Sequence, residues 1–173
     1  MLLFSVPANT LLRPLLMTRI NTVDPKLLPS PWLLAEYREL PRIINRVAAG
    51  RPFRVPAGPY RMGAGHVSFF GDKLHWLYQR HAALVAEMRR RKYNPVMNLD
   101  AAMATCMVKR PDLCRPEVWQ PSPTDHVVCL TRLKERWKGT QVEWFQFLVA
   151  VIERHPLPRA EATPLFMELL PCS

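Results

Sequence analysis

Three side chains in the stretch LLAEYRELPR could do chemistry together: Arg38, Glu39 and Arg42. A carboxylate between guanidinium groups can stabilise a developing positive charge or move a proton. Arg38 and Arg42, one helical turn apart, repel mildly unless an anion such as a phosphate sits between them. The ordinary role for such a glutamate is a surface ion pair with Arg38 or Arg42, which is worth little. A nitrogen nucleophile could come from upstream. Thr18 follows Met17 and is small enough to be exposed by removal of an initiator methionine. Its α-amine would titrate near ~7.7–8.0, against ~10.4 for a lysine, so that about a tenth is unprotonated at neutral pH. Arg19, Arg38 and Arg42 would lower that pKa further, and Glu39 would oppose them. Such an amine attacks an electrophilic carbon without an elaborate desolvating pocket. If Met17 is instead an ordinary internal methionine, Thr18 offers only an amide nitrogen.

These residues need a helix to hold them. Leu33, Tyr37, Leu40, Ile44 and Val47 recur at steps of four and three, the apolar stripe of an α-helix. Arg38, Glu39, Arg42 and Arg46 project onto the opposite face. Ser30-Pro31 reads as a cap followed by proline at the first helical position, Pro41 should kink the helix or loosen one turn, and Gly50 is a plausible stop. A second helix is expected over about 71–92, with Leu74, Leu77, His81, Leu84, Val85 and Met88 buried. It ends in the basic run Arg89–Lys92, which suits a helix C-terminus. Residues 95–121, holding Pro95, Pro111, Pro116 and Pro121, read as loop. Ser122 to Asp125 resembles a capping box that starts a third helix, to about Trp137. Arg132 and Arg136, one turn apart on it, are further phosphate candidates. Thr140 to Glu143 offers another cap before the apolar run WFQFLVAVI, a short fourth helix. From Pro156 the tail is Pro-rich. An all-α chain follows: one domain of three main helices plus an additional C-terminal one.

Composition bounds the partners. The chain has 173 residues, enough for one domain, and Lys plus Arg exceed Asp plus Glu by 24 to 14. Removing residues 1–17 takes away only Arg13 and leaves a charge of +9. That surplus suits a polyanion such as nucleic acid, although solvated basic faces are common. Cys106, Cys114, Cys129 and Cys172 form no C-x-x-C pair, and no Cys/His cluster has zinc-finger spacing. The N-terminal MLLFSVPANTLLRPLLM lacks a basic start and is broken by Pro7, Asn9, Arg13 and Pro14, so it makes a poor secretory signal. A cytoplasmic protein with reduced thiols is expected.

Two stretches carry a resemblance. LLAEYRELPRI and, at residues 62–74, MGAGHVSFFGDKL resemble signatures of the phage endonuclease V family of pyrimidine dimer DNA glycosylases and AP lyases. They stand in the same order and at similar distance from a Met-Thr-Arg start. A weaker match, RLKER at 132–136, falls where that family carries basic residues on its third helix; the resemblance spans about residues 17–137. It implies a compact domain with the N-terminal segment threaded between the first and third helices. It further implies that the Thr18 α-amine attacks C1′ of the 5′ nucleotide of the dimer and that Glu39 stabilises the sugar cation and assists β-elimination. Arg19, Arg38 and Arg42 would hold phosphates of a kinked duplex whose base opposite the lesion is flipped out. No metal and no cofactor are implied, and the partner is double-stranded DNA containing pyrimidine dimers, bound by a monomer. Residues 1–16 would then be an over-extended start or a leader, residues 17–155 the glycosylase domain and residues 156–173 a tail.

The chain also departs from that family. Trp32 stands where the phage enzyme carries a histidine, and the family's C-terminal segment rich in Trp, Tyr and Lys has no clear counterpart. Trp144, Phe145 and Phe147 occupy its place at a spacing that favours core packing. His66, in Gly-Ala-Gly-His, reads as structural. Two alternatives stay open: a noncatalytic DNA-binding protein on the same scaffold, and a glycosylase/AP lyase with another lesion preference.

Overall fold

The computed structural model describes residues 20–155. Six α-helices run in order: α1 (Ser30–Ala48), α2 (His66–Phe69), α3 (Leu74–Arg90), α4 (Asp100–Lys109), α5 (Pro123–Glu135) and α6 (Gln141–Arg154). Among the described residues there is no strand, and no helix is long and apolar enough to cross a membrane.

The apolar stripe of α1 is buried as its periodicity requires, and α1 packs against α3 and α4. Pro41 is itself buried, and the helix runs on through it. Ser30 is the first helical residue rather than the cap; its Oγ accepts a hydrogen bond from Arg91 at 3.2 Å, which ties the start of α1 to the end of α3. Gly50 ends α1 at a φ of 75°, with its N–H on the Val47 carbonyl and the Arg51 N–H reaching back to Arg46. That paired closure needs a left-handed residue, which glycine adopts without a Cβ clash. Both expected capping boxes are present, Ser122 with Asp125 on α5 and Thr140 with Glu143 on α6.

Three further expectations need correction. The segment 95–121 is not all loop: α4 occupies Asp100–Lys109, and short 3₁₀ turns cover Pro111–Leu113 and Pro116–Val118. The prolines on either side hid a ten-residue stretch free of them, and α4 buries only Met103 and Cys106, too few to print a stripe. The second helix begins at Leu74 rather than near Gly71, because α2 and a 3₁₀ turn, Phe70–Asp72, fill the approach. Its stripe includes Arg80 and Glu87 as buried residues, while Val85 is only half-buried.

An aromatic cluster fixes the loop before α3. Phe70 stacks on Trp76 at 5.4 Å, Trp119 meets Trp76 edge-on at 4.8 Å, and Tyr60 packs against His66 and Phe69 at 5.6 Å. His66 Nδ1 pairs with the Arg61 carbonyl at 2.8 Å, so this histidine is structural, as its glycine-flanked position suggested.

Candidate active site

Residues 20–24 run through the interior and are gripped from several elements at once. Ile20, Asn21, Thr22 and Val23 are all buried. The Tyr60 hydroxyl donates to the Ile20 carbonyl at 3.1 Å. Asn21 Nδ2 donates to Glu36 Oε2 on α1 at 3.0 Å, and the Cys129 thiol on α5 donates to Asn21 Oδ1 at 3.4 Å. Arg80 on α3 holds both Glu36 oxygens, at 2.8 and 2.9 Å, and spends a third donor on the Val23 carbonyl at 2.7 Å. His126 Nδ1 on α5 lies 2.9 Å from Thr22 Oγ1. At the end of α6, His155 Nε2 accepts from the Asp24 N–H at 3.0 Å, and Arg154 bonds the Asp24 carboxylate at 2.8 Å. The segment therefore threads between α1 and α5, the counterparts of the first and third main helices.

Burial sets the ionisation of this interior. It pushes the pKa of the Cys129 thiol up, which keeps it a donor to Asn21. It pushes His126 down to about 4, with His155 adding repulsion. His66 is lowered by burial against the opposing pull of the Arg61 and Ile20 carbonyls.

The outer face of α1 carries the sequence-predicted residues. Arg38 is exposed, and Arg42 is exposed with 59% of its side chain in solvent. Glu39 is largely shielded, at 13%, and meets Arg42 Nη1 at 3.4 Å. That contact is long and loose for a charge-assisted bond. The expected clustering of Arg38, Glu39 and Arg42 on one helix is present. Thr18 and Arg19 lie outside the described residues.

Arg132 and Arg136 line different cavities. Arg132 pairs with Glu135 and lines a cavity of about 550 Å³ bounded by Tyr60, Met62, Val127 and Thr131. Arg136 caps the end of α5 and lines a second cavity, of about 1010 Å³, with Trp32, Trp137, Phe147, Lys26 and Lys138. Trp32 thus faces a partly aromatic, partly cationic hollow. Trp144 and Phe147 are core residues, as expected, whereas Phe145 is 52% exposed.

Sequence reasoning passed over Asn21, Glu36, Arg80, His126 and His155. A signal existed for two of them. Glu36 falls within the stripe of α1 between Leu33 and Leu40, and Arg80 falls in the stripe of α3 between Leu77 and Leu84. Opposite charges at core positions of two helices predict that they face one another. The others could not be seen, because their bonds join positions 15 to 131 apart that no helical period relates.

A helical domain with a surplus of positive charge and a largely shielded carboxylate between exposed arginines has a face suited to a phosphate backbone. The comparison with protein families is specific: residues 17–101 match the family described as pyrimidine dimer DNA glycosylase. Over this stretch, which holds Thr18 and Glu39 together with Asn21, Glu36 and Arg80, the chain carries the pattern of that family.

Proposed function

We propose that the protein excises cyclobutane pyrimidine dimers from double-stranded DNA with the α-amine of Thr18 as nucleophile, and then cuts the strand by β-elimination. The observation that carries this is the anchoring of residues 20–23 between α1 and α5, two residues from Thr18 and against the helix that bears Glu39. A chain entering a protein this way has its preceding residues tethered close by: two residues span at most about 7 Å.

The amine nitrogen attacks C1′, and the glycosyl bond breaks with its electron pair leaving on the pyrimidine. Loss of a proton from nitrogen and opening of the sugar leave an imine. Glu39 faces the cationic sugar and then moves the C2′ proton, after which the C3′–O bond breaks and releases the 3′ phosphate. Water finally hydrolyses the imine. Arg19, Arg38 and Arg42 hold phosphates around the lesion, and Arg132 and Arg136 are further contacts on α5 and its cap.

The amine exists only if residues 1–17 are absent, and the family match begins at Met17, which supports that start. Borohydride trapping on an ultraviolet-irradiated duplex tests the reading, with protein beginning at Thr18 beside protein retaining residues 1–17. A covalent adduct with the short form alone is expected. Binding without an adduct from either form would leave a noncatalytic DNA-binding protein.

A further inference from the structure

The geometry points to Asn21, Glu36 and Arg80 as a register clamp that sets the reach of the N-terminal amine, and hence as positioning residues for the reaction; this rests on the Thr18 reading above. Glu36 is fully buried, yet it contributes no group to any exposed surface. A buried ion pair is a poor source of stability, because desolvation offsets most of its attraction, and its best-attested use is to specify one arrangement over others. Here the arrangement specified is the register of the segment 20–23.

Each polar atom of the Asn21 side chain is matched. Its amide N–H₂ donates to Glu36, and its carbonyl oxygen accepts from the Cys129 thiol. Arg80 closes the arrangement from the other side by bonding both Glu36 oxygens and the Val23 carbonyl. A slip of one residue would bring Ile20 or Thr22 opposite Glu36. Ile20 has no side-chain donor, and Thr22 would leave its bond to His126. A buried carboxylate deprived of its donor is costly, so the slipped register is disfavoured.

The consequence reaches the nucleophile. One residue of slip moves the chain by about 3.3 Å, comparable with the whole ~3–3.5 Å separation of a near-attack geometry, and a misplacement of only about 1 Å can cost a hundredfold in rate. Phosphate contacts made by Arg38 and Arg42 do not depend on that register. Loss of the clamp should therefore slow imine formation while DNA binding persists.

The test uses protein beginning at Thr18, with single-turnover borohydride trapping at saturating enzyme and Kd for the same duplex under non-reducing conditions. Asn21→Ala is expected to lower the trapping rate about a hundredfold or more, with Kd within about twofold. A second arm inserts one glycine between Arg19 and Ile20. In the intact clamp the insertion slows trapping, whereas combined with Asn21→Ala it adds little. A merely structural residue would give additive effects. Should Asn21→Ala not fold, Cys129→Ala carries the test: trapping slows with Kd unchanged, and Cys129→Ser, which restores a donor, recovers it. Wild-type trapping by Asn21→Ala, or by Cys129→Ala where it stands in, or additive effects of Asn21→Ala and the insertion, would overturn the clamp alone. Absence of any adduct from the unsubstituted protein would overturn the nucleophile assignment, and the clamp with it.

Discussion

Glu36 and Glu39 stand one turn apart on the same helix and meet opposite fates. Glu36 points inward, shows no exposed surface and is bonded by Arg80 and Asn21 at 2.8 to 3.0 Å. Glu39 points outward, keeps some solvent contact and meets one arginine at 3.4 Å. In an α-helix three residues turn a side chain through about 300°, which leaves the two carboxylates only about 60° apart, so a helix half sunk in a core can bury one as scaffold and leave the other at the rim of the buried face. The saturated carboxylate cannot take part in chemistry without breaking its own network. The loosely held one can give up Arg42 to a phosphate at little cost, since an exposed pair contributes at most about 1 kcal/mol.

The comparison breaks first on stability. Glu36→Gln removes the charge that balances Arg80 in the interior, and unfolding in urea should show a loss of about 3–5 kcal/mol. Replacing Glu36 and Arg80 together by methionine should recover part of it, because no unpaired charge then remains although Asn21 Nδ2 and the Val23 carbonyl lose these bonds. A midpoint unchanged by Glu36→Gln would mean that water reaches this pair. Glu39→Gln should do the reverse. Its stability should stay within about 1 kcal/mol of the parent, while cleavage of dimer-containing duplex falls about a hundredfold or more and binding is kept. An unchanged cleavage rate would remove Glu39 from the proposed mechanism.

Much of this was legible before the structure. The stripe of α1, both capping boxes and the outward grouping of Arg38, Glu39 and Arg42 follow from helical periodicity and local hydrogen-bond chemistry, which act over a few residues. What stayed hidden is long-range. The partners of Asn21 and Thr22 are separated from them by 15 to 108 positions, and only folding brings them together. Arg132 and Arg136 show the same limit in reverse. Helical spacing puts them one turn apart, but α5 ends between them, so they line different cavities. Nor does composition separate Glu36 from Glu39; the distinction is legible only from the stripe residues around each.

The gentlest way to sharpen the contrast is pH, which should loosen the Thr22–Asp24 end of the threaded segment before the Glu36 end. His126 is pushed down to about 4 by burial first and by its neighbour His155 second, with Asp125 opposing. His155 is lowered as well, by burial, against the pull of Asp24. Their rings lie 4.3 Å apart, with Arg154 and Arg80 nearby, so two protons cannot be taken up there without repulsion. A lowered histidine pKa means that the unfolded chain binds protons more readily than the folded one. Stability is therefore fully present above about 6.5, the unperturbed histidine value, and is lost as pH falls toward 4. Thermal unfolding at pH 7 and pH 5 should show a lower Tm at pH 5, and His126→Gln should shrink that difference. Some difference will persist in the variant, because His66 and His81 are also lowered by burial. An equal drop in both proteins would place the pH sensitivity elsewhere and leave the histidine pair as passive packing.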